Sequence, residues 1–370
     1  MRRRDPTARR LSAGAAVAAV LALPAPSGAV AAPTPAPGAP VCRIRDDRLT
    51  EISGMAATDD GYVVVNDGAD DAARRRIFFL AADCAVTRTV SYPSRPRDTE
   101  DLAVGADGTV WVADIGDNDR SRQTVAVWKL APGAARPVLY RMAYPDRPHD
   151  AEAMLLTGDG RPVIVSKYSG VLYAPSTALR PGATVPLAEV GQVRLPGTTT
   201  SNPFSVLGRT AVTGAATAPG GERVVLRTYA DAFEFDVTGG DVIAALTGGT
   251  PRVTPLPDEP QGESITYSRD GRFLLTVSET ADQPPGTRPS ILRYPAAGPS
   301  TGSPTAPTTG PTSAPTTPVP TAPARADRVA GDQAGGVRPM VAAGAVGLGL
   351  LVVGLLVLAW SRRSRSGRPG

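Results

Sequence analysis

The chain has 370 residues, with 39 lysines and arginines, 35 acidic residues and a single histidine, for a formal net charge of +4. Many of the arginines lie near the two ends. The segment between them is near neutral or acidic and has no basic patch interleaved with aromatic residues, so nucleic acid is not expected as a partner. No phosphate-binding or dinucleotide-binding glycine loop and no G-x-S-x-G serine motif occurs, which argues against the usual nucleotide enzymes and serine hydrolases.

Residues 1–32 have the layout of a secretory signal peptide. An arginine-rich start is followed by an apolar stretch from Leu11 to Leu23 and then by small residues. Arg9 and Arg10 leave a twin-arginine signal open as the alternative to the general secretory route. The segment is therefore predicted to be removed from the mature protein.

The other end of the chain predicts a membrane anchor. Residues 298–338 are rich in proline, threonine and small side chains, which is typical of a disordered extended stalk. Residues 339–360 carry no charge and, as a helix, would span about 33 Å, enough to cross a bilayer core. Four arginines follow in residues 361–370, so we expect a cytoplasmic C-terminus and an extracellular N-terminal domain on a single-pass cell-membrane protein.

Residues 40–297 contain a repeat. Five apolar residues are each followed, six positions later, by a glycine that begins a β-rich segment. The apolar residues are Met55, Leu102, Met154, Ala215 and Ile265, and the glycines are Gly61, Gly108, Gly160, Gly221 and Gly271. Aspartate precedes four of these glycines, which is a signal for a tight hairpin. The intervals of 47, 52, 61 and 50 residues leave room for about four strands each, which predicts an all-β, five-bladed β-propeller. The longest interval leaves a sixth blade open.

The last unit lacks a fourth strand, and a spare strand precedes the first unit. This spare segment, Val41 to Leu49, is predicted to complete the last blade and so to remove an exposed sheet edge. The two cysteines of the chain, Cys42 and Cys84, are predicted to form a disulfide, as expected outside the membrane. This bridge closes a loop of about 42 residues, worth roughly 4 kcal/mol in the chain-entropy model.

A ring of polar side chains is predicted at the mouth of the central channel, two residues before each apolar position. Its members are Ser53, Glu100, Glu152, Thr213 and Glu263. Neighbouring carboxylates repel by up to ~4 kcal/mol per pair at an effective dielectric near 20, so positive charge is needed. Lys167 and Arg227 could supply it, or calcium could bind, with Asp67 and Asp114 as further oxygen ligands. The alternative is structural, with the glutamates accepting hydrogen bonds from backbone amides of the next blade.

The single histidine lies in "PHDAE", before the third inner strand. His149 stands beside Asp150 and Glu152, so His149 and Glu152 are candidate catalytic residues in general acid–base chemistry. The alternative is a turn residue with a local hydrogen bond.

The motifs "ISGMAA…VVVNDG", "DTEDLAV…VWVADIGDN" and "HDAEAML" resemble units of secreted bacterial β-propellers of the phytase-like or esterase-like-phytase type. More distantly they resemble lactonase and strictosidine-synthase-like propellers. The resemblance implies that acidic residues at the channel mouth bind calcium and that basic residues hold an anionic ligand. The matching acids are Glu100, Asp101, Glu152 and Glu263, and the matching bases are Lys167 and Arg227. Asp150, beside His149, is a further candidate ligand-binding residue.

Two functions remain open from the sequence. The first is a surface-displayed binding module for a cell-wall or extracellular ligand or protein. The second is a calcium-dependent hydrolase of phosphate esters or lactones.

Overall fold

The structure is a computed structural model that describes residues 36–68 and 70–298. The predicted signal peptide, the stalk beyond residue 298, the apolar segment 339–360 and the basic tail 361–370 all lie outside the described residues. Within the described residues, no helix is long and apolar enough to cross a membrane.

Twenty strands and two short helices make up the described part. The first meander contains β2 (Ile52–Thr58), β3 (Gly61–Asn66), β4 (Arg76–Ala81) and β5 (Val86–Ser91), preceded by β1 (Ala39–Arg43). The second contains β6 (Thr99–Val104), β7 (Val110–Asp114), β8 (Val125–Leu130) and β9 (Val138–Ala143). The third contains β10 (Ala151–Leu156), β11 (Pro162–Ser166), β12 (Val171–Pro175) and β13 (Thr184–Gln192).

The remaining elements follow in the same manner. After α1 (Ser205–Gly208) come β14 (Val212–Thr217), β15 (Arg223–Thr228), β16 (Asp231–Asp236), α2 (Val242–Gly248) and β17 (Arg252–Pro255). The last strands are β18 (Gly262–Tyr267), β19 (Phe273–Ser278) and β20 (Ser290–Pro295). The interval between Met154 and Ala215, the longest in the repeat, is filled by β11 to β13, a loop and α1.

The sheets close into a ring. β2 to β5 and β14 to β17 form four-stranded antiparallel sheets, and parallel pairing of β9 with β13 joins the second and third meanders into one eight-stranded sheet. The first strand of each meander contacts the first strand of the next, from β2 through β6, β10 and β14 to β18, and β18 contacts β2. Antiparallel sheets arranged in a closed circuit around their first strands define a β-propeller.

The hairpin prediction is confirmed at all five glycines. Gly61, Gly108, Gly160, Gly221 and Gly271 all have positive φ, between 66° and 141°. Glycine adopts this conformation without the steric cost that a Cβ would add, so the spacing seen in the sequence marks the turn between the first two strands of each meander.

The N-terminal strand completes the last sheet, as predicted, although it is shorter than expected. β1 pairs antiparallel with β20, and the sheet order is β1-β20-β19-β18. The chain then leaves the sheet and buries Ile44 and Leu49 completely against the first sheet. The predicted disulfide between Cys42 and Cys84 is also confirmed, with Cα atoms 5.8 Å apart, and it ties this closing strand to the β4–β5 turn of the first sheet.

The apolar core lies between neighbouring sheets. One cluster joins the last sheet to the first, with Ile291 and Phe78 among its members, and four more clusters fill the other sheet-to-sheet contacts. Because apolar side chains are buried between sheets, the polar residues of the first strands are free to line the axis.

Candidate functional site

A β-bulge interrupts the first strand of every meander at the same place. The pairing register with the second strand shifts across one residue in each case, and the five residues are Ser53, Glu100, Glu152, Thr213 and Glu263. A classic bulge sets two residues against one and turns the strand locally, which re-aims side chains. The five positions that the sequence repeat selects are therefore the five bulge positions.

The two hydroxyl residues of this set make different contacts from the three glutamates. Ser53 donates a hydrogen bond to the carbonyl of Thr99, and Thr213 donates one to the carbonyl of Gly262, both at 2.8 Å. Each hydroxyl thus ties one first strand to the next. The three glutamates, each about 4% exposed, instead interact electrostatically with one another.

A tight group of carboxylates includes Glu100. One oxygen each from Asp67, Asp98 and Glu100 lie within 4.8 Å of one another. Two glycines make the space for them. A Cβ on Gly116 would collide with the carboxylates of Glu100 and Asp98, and a Cβ on Gly68 would lie 2.5 Å from Oδ1 of Asp98. Gly68 of "NDG" and Gly116 of "DIGDND" therefore leave room for the carboxylates of Asp98 and Glu100. We name the wider acidic group the acidic cluster: Asp67, Asp98, Glu100, Glu152 and Glu263.

Two buried oxygens of the cluster have no hydrogen-bond partner. Glu152 accepts from Lys167 Nζ through Oε1, and Glu263 accepts from Gln261 at 3.2 Å through Oε1. The other oxygen of each carboxylate, Oε2, is buried and unpartnered. Leaving a buried acceptor unsatisfied costs about 1–3 kcal/mol, and more for a charged group. These two oxygens are therefore open to a further hydrogen-bond donor or to a cation.

Burial raises the pKa values of the cluster. Burial, with the charge of nearby Asp67, raises the pKa of Asp98 to about 8. Burial raises the pKa of Glu263 to about 7, although Lys167 acts in the opposite direction. The pKa values of Glu100 and Glu152 are also raised, by burial and then by Asp67 and Glu263 respectively. A bound cation would reverse this effect, because it favours the charged form of each acid.

Lys167 is the basic residue that the fold brings to the cluster. Its ammonium is paired with Glu152 and its side chain is only 9% exposed. Burial lowers the pKa of Lys167, but the charges of Glu152 and Glu263 outweigh burial and raise it overall. An ammonium has three donors, and Glu152 uses one of them.

Asp101 was predicted to bind a ligand, and the structure places its carboxylate among backbone amides. Its side chain is completely buried. Oδ2 accepts from the amides of Met154 (2.8 Å) and Ala215 (3.2 Å), and Oδ1 accepts from the amide of Leu102 (2.8 Å). One carboxylate thus joins β6, β10 and β14, which fits a structural role.

Asp114 and Arg227 are also held by other partners. Asp114 was predicted as a metal ligand, but its carboxylate accepts from Arg122, Trp128 and two backbone amides. Arg227 was predicted to hold a ligand, but it is completely buried and pairs with Glu259 at 3.0 Å. Both side chains therefore have protein partners in the fold, and their roles in binding a metal or ligand stay predictions.

His149 lies in an aromatic group beside the third meander. Its Nε2 is 2.9 Å from Oδ1 of Asp146 and 3.0 Å from the hydroxyl of Tyr173, and the Tyr144 ring packs edge-on against it. Asp150 accepts a hydrogen bond from the amide of Asp117 and contributes its charge near Glu152. The described contacts of His149 fit a turn residue with local hydrogen bonds.

Sequence reasoning missed three residues of the site. Asp98 stands two residues before Glu100 in "DTED", and this local run of acids was the available signal. Gln261 and Tyr229, which contact Glu263, come from the loop before β18 and the turn after β15. Gln261 stands four residues before Ile265, as Asp98 stands four before Leu102, and Tyr229 directly follows β15, as Lys167 follows β11. The spacing of the repeat was therefore the available signal for both.

No protein-family model matches the chain, and no curated protein matches it. Among solved structures, the chain resembles a gluconolactonase from Xanthomonas campestris, with 14% identity over 71% of this chain and 99% of that chain and a TM-score of 0.37. It also resembles a luciferin-regenerating enzyme, with 12% identity over 69% of this chain and 80% of that chain and a TM-score of 0.40. A third similar structure is the Swd1 β-propeller domain from Myceliophteria thermophila, with 12% identity, coverage of 69% and 99%, and a TM-score of 0.37. These similarities are too weak to transfer a fold or an activity, so the description of the chain as a β-propeller rests on its strand pairing.

Proposed function

We propose that the acidic cluster binds a hard divalent cation, calcium in the first instance, and that the protein is a cation-dependent binding module. In this proposal a five-bladed propeller is displayed outside the cell, held by a stalk and the apolar segment 339–360. Its ligand is an extracellular or cell-wall molecule. The observation that carries the proposal is the pair of buried, unpartnered oxygens on Glu152 and Glu263, beside three converging carboxylates.

The donor set suits calcium. Calcium takes six to eight oxygen ligands and accepts carboxylates in either one- or two-oxygen mode. Asp67, Asp98 and Glu100 offer three carboxylates in close proximity. The charges of Glu152 and Glu263 act on Glu100, so these two glutamates extend the donor set. The purely structural alternative for the glutamates is less well supported, because the described partners of Glu152 and Glu263 are the side chains of Lys167, Gln261 and Tyr229 and not backbone amides.

The bound ligand is expected to be an anion. A cation held on one side by protein carboxylates keeps positions open on the other, and Lys167 has donors to spare. The combination favours a carboxylate or phosphate group over a neutral or cationic one.

A calcium-dependent hydrolase of phosphate esters or lactones is the second candidate. It is favoured by Glu263, because a carboxyl with a pKa of about 7 is suited to proton transfer near neutral pH. In this candidate Glu152 and Glu263 are the acid–base residues. His149, which lies with Tyr173 and Asp146, has no assigned step.

The test is a thermal-melting experiment with calcium and with chelator. A ligand that binds only the folded state at 100 times its Kd stabilises it by about 2.7 kcal/mol, so calcium should raise Tm by several degrees. Glu100→Gln should abolish this shift, whereas Glu222→Gln, at a residue whose side chain is 53% exposed, should keep it. Identical melting of the wild type with chelator and with calcium, magnesium or manganese would refute the proposal.

A further inference from the structure

An exposed apolar group lies in the loop between β13 and β14. Phe204, Val206 and Leu207 are 40%, 66% and 58% exposed, and we call these three residues the apolar tip. Val206 and Leu207 belong to α1. Exposed large apolar side chains adjacent to one another are a recurrent sign of a binding surface.

The loop that carries the apolar tip is held in place at its base. Thr198 and Thr200 both donate hydrogen bonds to the carboxylate of Asp231, which is completely buried. Ser201 donates to Asp258 at 2.7 Å. These bonds fix the segment before the apolar tip to the fourth meander and its exit, so the apolar side chains follow a supported segment.

Aromatic contacts connect the apolar tip to the acidic cluster. The rings of Phe204 and Tyr229 have centroids 4.3 Å apart. Tyr229 in turn interacts with Glu263 through its hydroxyl, and its ring centroid lies 5.8 Å from Nζ of Lys167. Tyr168, 50% exposed, has its ring centroid 5.7 Å from the same ammonium. The apolar tip is therefore linked, through Phe204 and Tyr229, to the candidate site and to Lys167.

We propose that this site takes an amphiphilic organic anion. Its carboxylate or phosphate head binds the cation and Lys167, and its aliphatic or aromatic part packs on Phe204, Val206 and Leu207. This inference rests on the proposed cation site and adds the class of ligand. A polar anion such as a sugar phosphate would leave the apolar tip uncovered, and it is therefore the less suitable ligand.

The geometry favours a small molecule over a lipid surface as the occupant. The tip contacts the acidic cluster through a single aromatic pair, so an anionic head and an apolar body of modest length can reach both at once. A bilayer with anionic headgroups would bring many negative charges against five carboxylates, of which the cation and Lys167 offset only part.

The test compares two carboxylates that differ only in their apolar part. Acetate and 4-phenylbutyrate are titrated calorimetrically into the calcium-loaded, full-length protein. We expect 4-phenylbutyrate to bind at least tenfold more tightly, since burying apolar surface of this size is favourable. The double variant Val206→Ser, Leu207→Ser should reduce that ratio at least threefold while keeping the calcium shift in Tm. Val138→Ser, at an exposed valine of β9, is the matched control and should leave the ratio unchanged.

The outcomes separate the two proposals. A calcium shift with equal affinities for the two carboxylates, or a ratio that the double variant does not change, overturns the inference and leaves the cation site standing. Loss of the calcium shift in the double variant also overturns it, because the tip would then support the fold. Calcium-dependent binding to phosphatidylserine vesicles without saturable binding of 4-phenylbutyrate would assign the tip to a lipid surface and overturn it too. Absence of any shift in the wild type with calcium, magnesium or manganese refutes the cation site itself, and the inference with it.

Discussion

Asp101→Asn is expected to destabilise the propeller, although the two side chains have nearly the same shape. The carboxylate of Asp101 accepts three amide hydrogen bonds, two through Oδ2 from Met154 and Ala215 and one through Oδ1 from Leu102. An asparagine has one oxygen and one NH₂ group. Whichever way the amide is turned, its NH₂ faces at least one amide N–H and leaves that donor unsatisfied.

The magnitude follows from the number of donors lost. An unsatisfied buried N–H costs about 1–3 kcal/mol, so Asp101→Asn should lower the free energy of unfolding by about that amount. For a domain of this size, this corresponds to a Tm lower by roughly 3 to 10 °C. Asp101→Ala loses all three acceptors and should cost more than Asp101→Asn. Burial raises the pKa of Asp101, and the three amide bonds act in the opposite direction.

The assay is urea unfolding at neutral pH, followed by far-ultraviolet circular dichroism, with chelator present so that the adjacent Glu100 adds no cation effect. Asp70→Asn is the matched control, because the side chain of Asp70 is fully exposed, and it should change stability by less than about 0.5 kcal/mol. If Asp101→Asn unfolds at the same urea concentration as the wild type, the carboxylate does not hold the three strands together and the reasoning is wrong.

The remaining predictions concern other buried groups. Arg227→Met should cost about 3–5 kcal/mol in urea unfolding, because it removes the cation that pairs with the buried Glu259, and a loss below 1 kcal/mol would contradict this. In chelator, Tm should fall as pH rises from 5 to 8. The folded-state pKa values of Asp98 (about 8) and Glu263 (about 7) lie above the unfolded values, so their stabilisation is complete below the unfolded pKa and is lost as pH rises. Each proton involved changes stability by about 1.4 kcal/mol per pH unit, and a Tm independent of pH would count against the buried cluster. Cys42→Ser should lower stability by up to roughly 4 kcal/mol, as should reduction of the wild type, and equal stability of oxidised and reduced protein would contradict this.

The parts of the fold that the sequence predicts are those set by local spacing. The five hairpin glycines recur at a fixed offset because each turn needs a residue with positive φ, and the structure confirms every one of them. The closing strand and the disulfide were predictable because only one spare strand and two cysteines were available. The five bulge residues follow from the same repeat, so Glu100, Glu152 and Glu263 are brought to one end of the first strands, as expected.

The partners of the charged residues were not predictable in this way. Asp101 binds amides 53 and 114 residues away, and Arg227 pairs with Glu259, which lies outside the repeat. Such contacts depend on how neighbouring sheets meet, and a single sequence gives no measure of that. Asp98 differs for a simpler reason: the polar position of the repeat lies two residues before each apolar residue, and in the second unit Glu100 occupies it.

The pairing of β1 with β20 has a consequence for the order of events during synthesis. Arg43 and Ser290 are neighbours in one sheet but are separated by roughly 250 residues of chain. Contacts so distant in sequence form slowly, because a long loop must close first. A nascent chain that ends before Ser290 therefore carries two unpaired strand edges, one at each end of an incomplete circle. Stalled or truncated products should thus be the species that associate with each other, because β1 and β19 each lack a neighbour until β20 has been made.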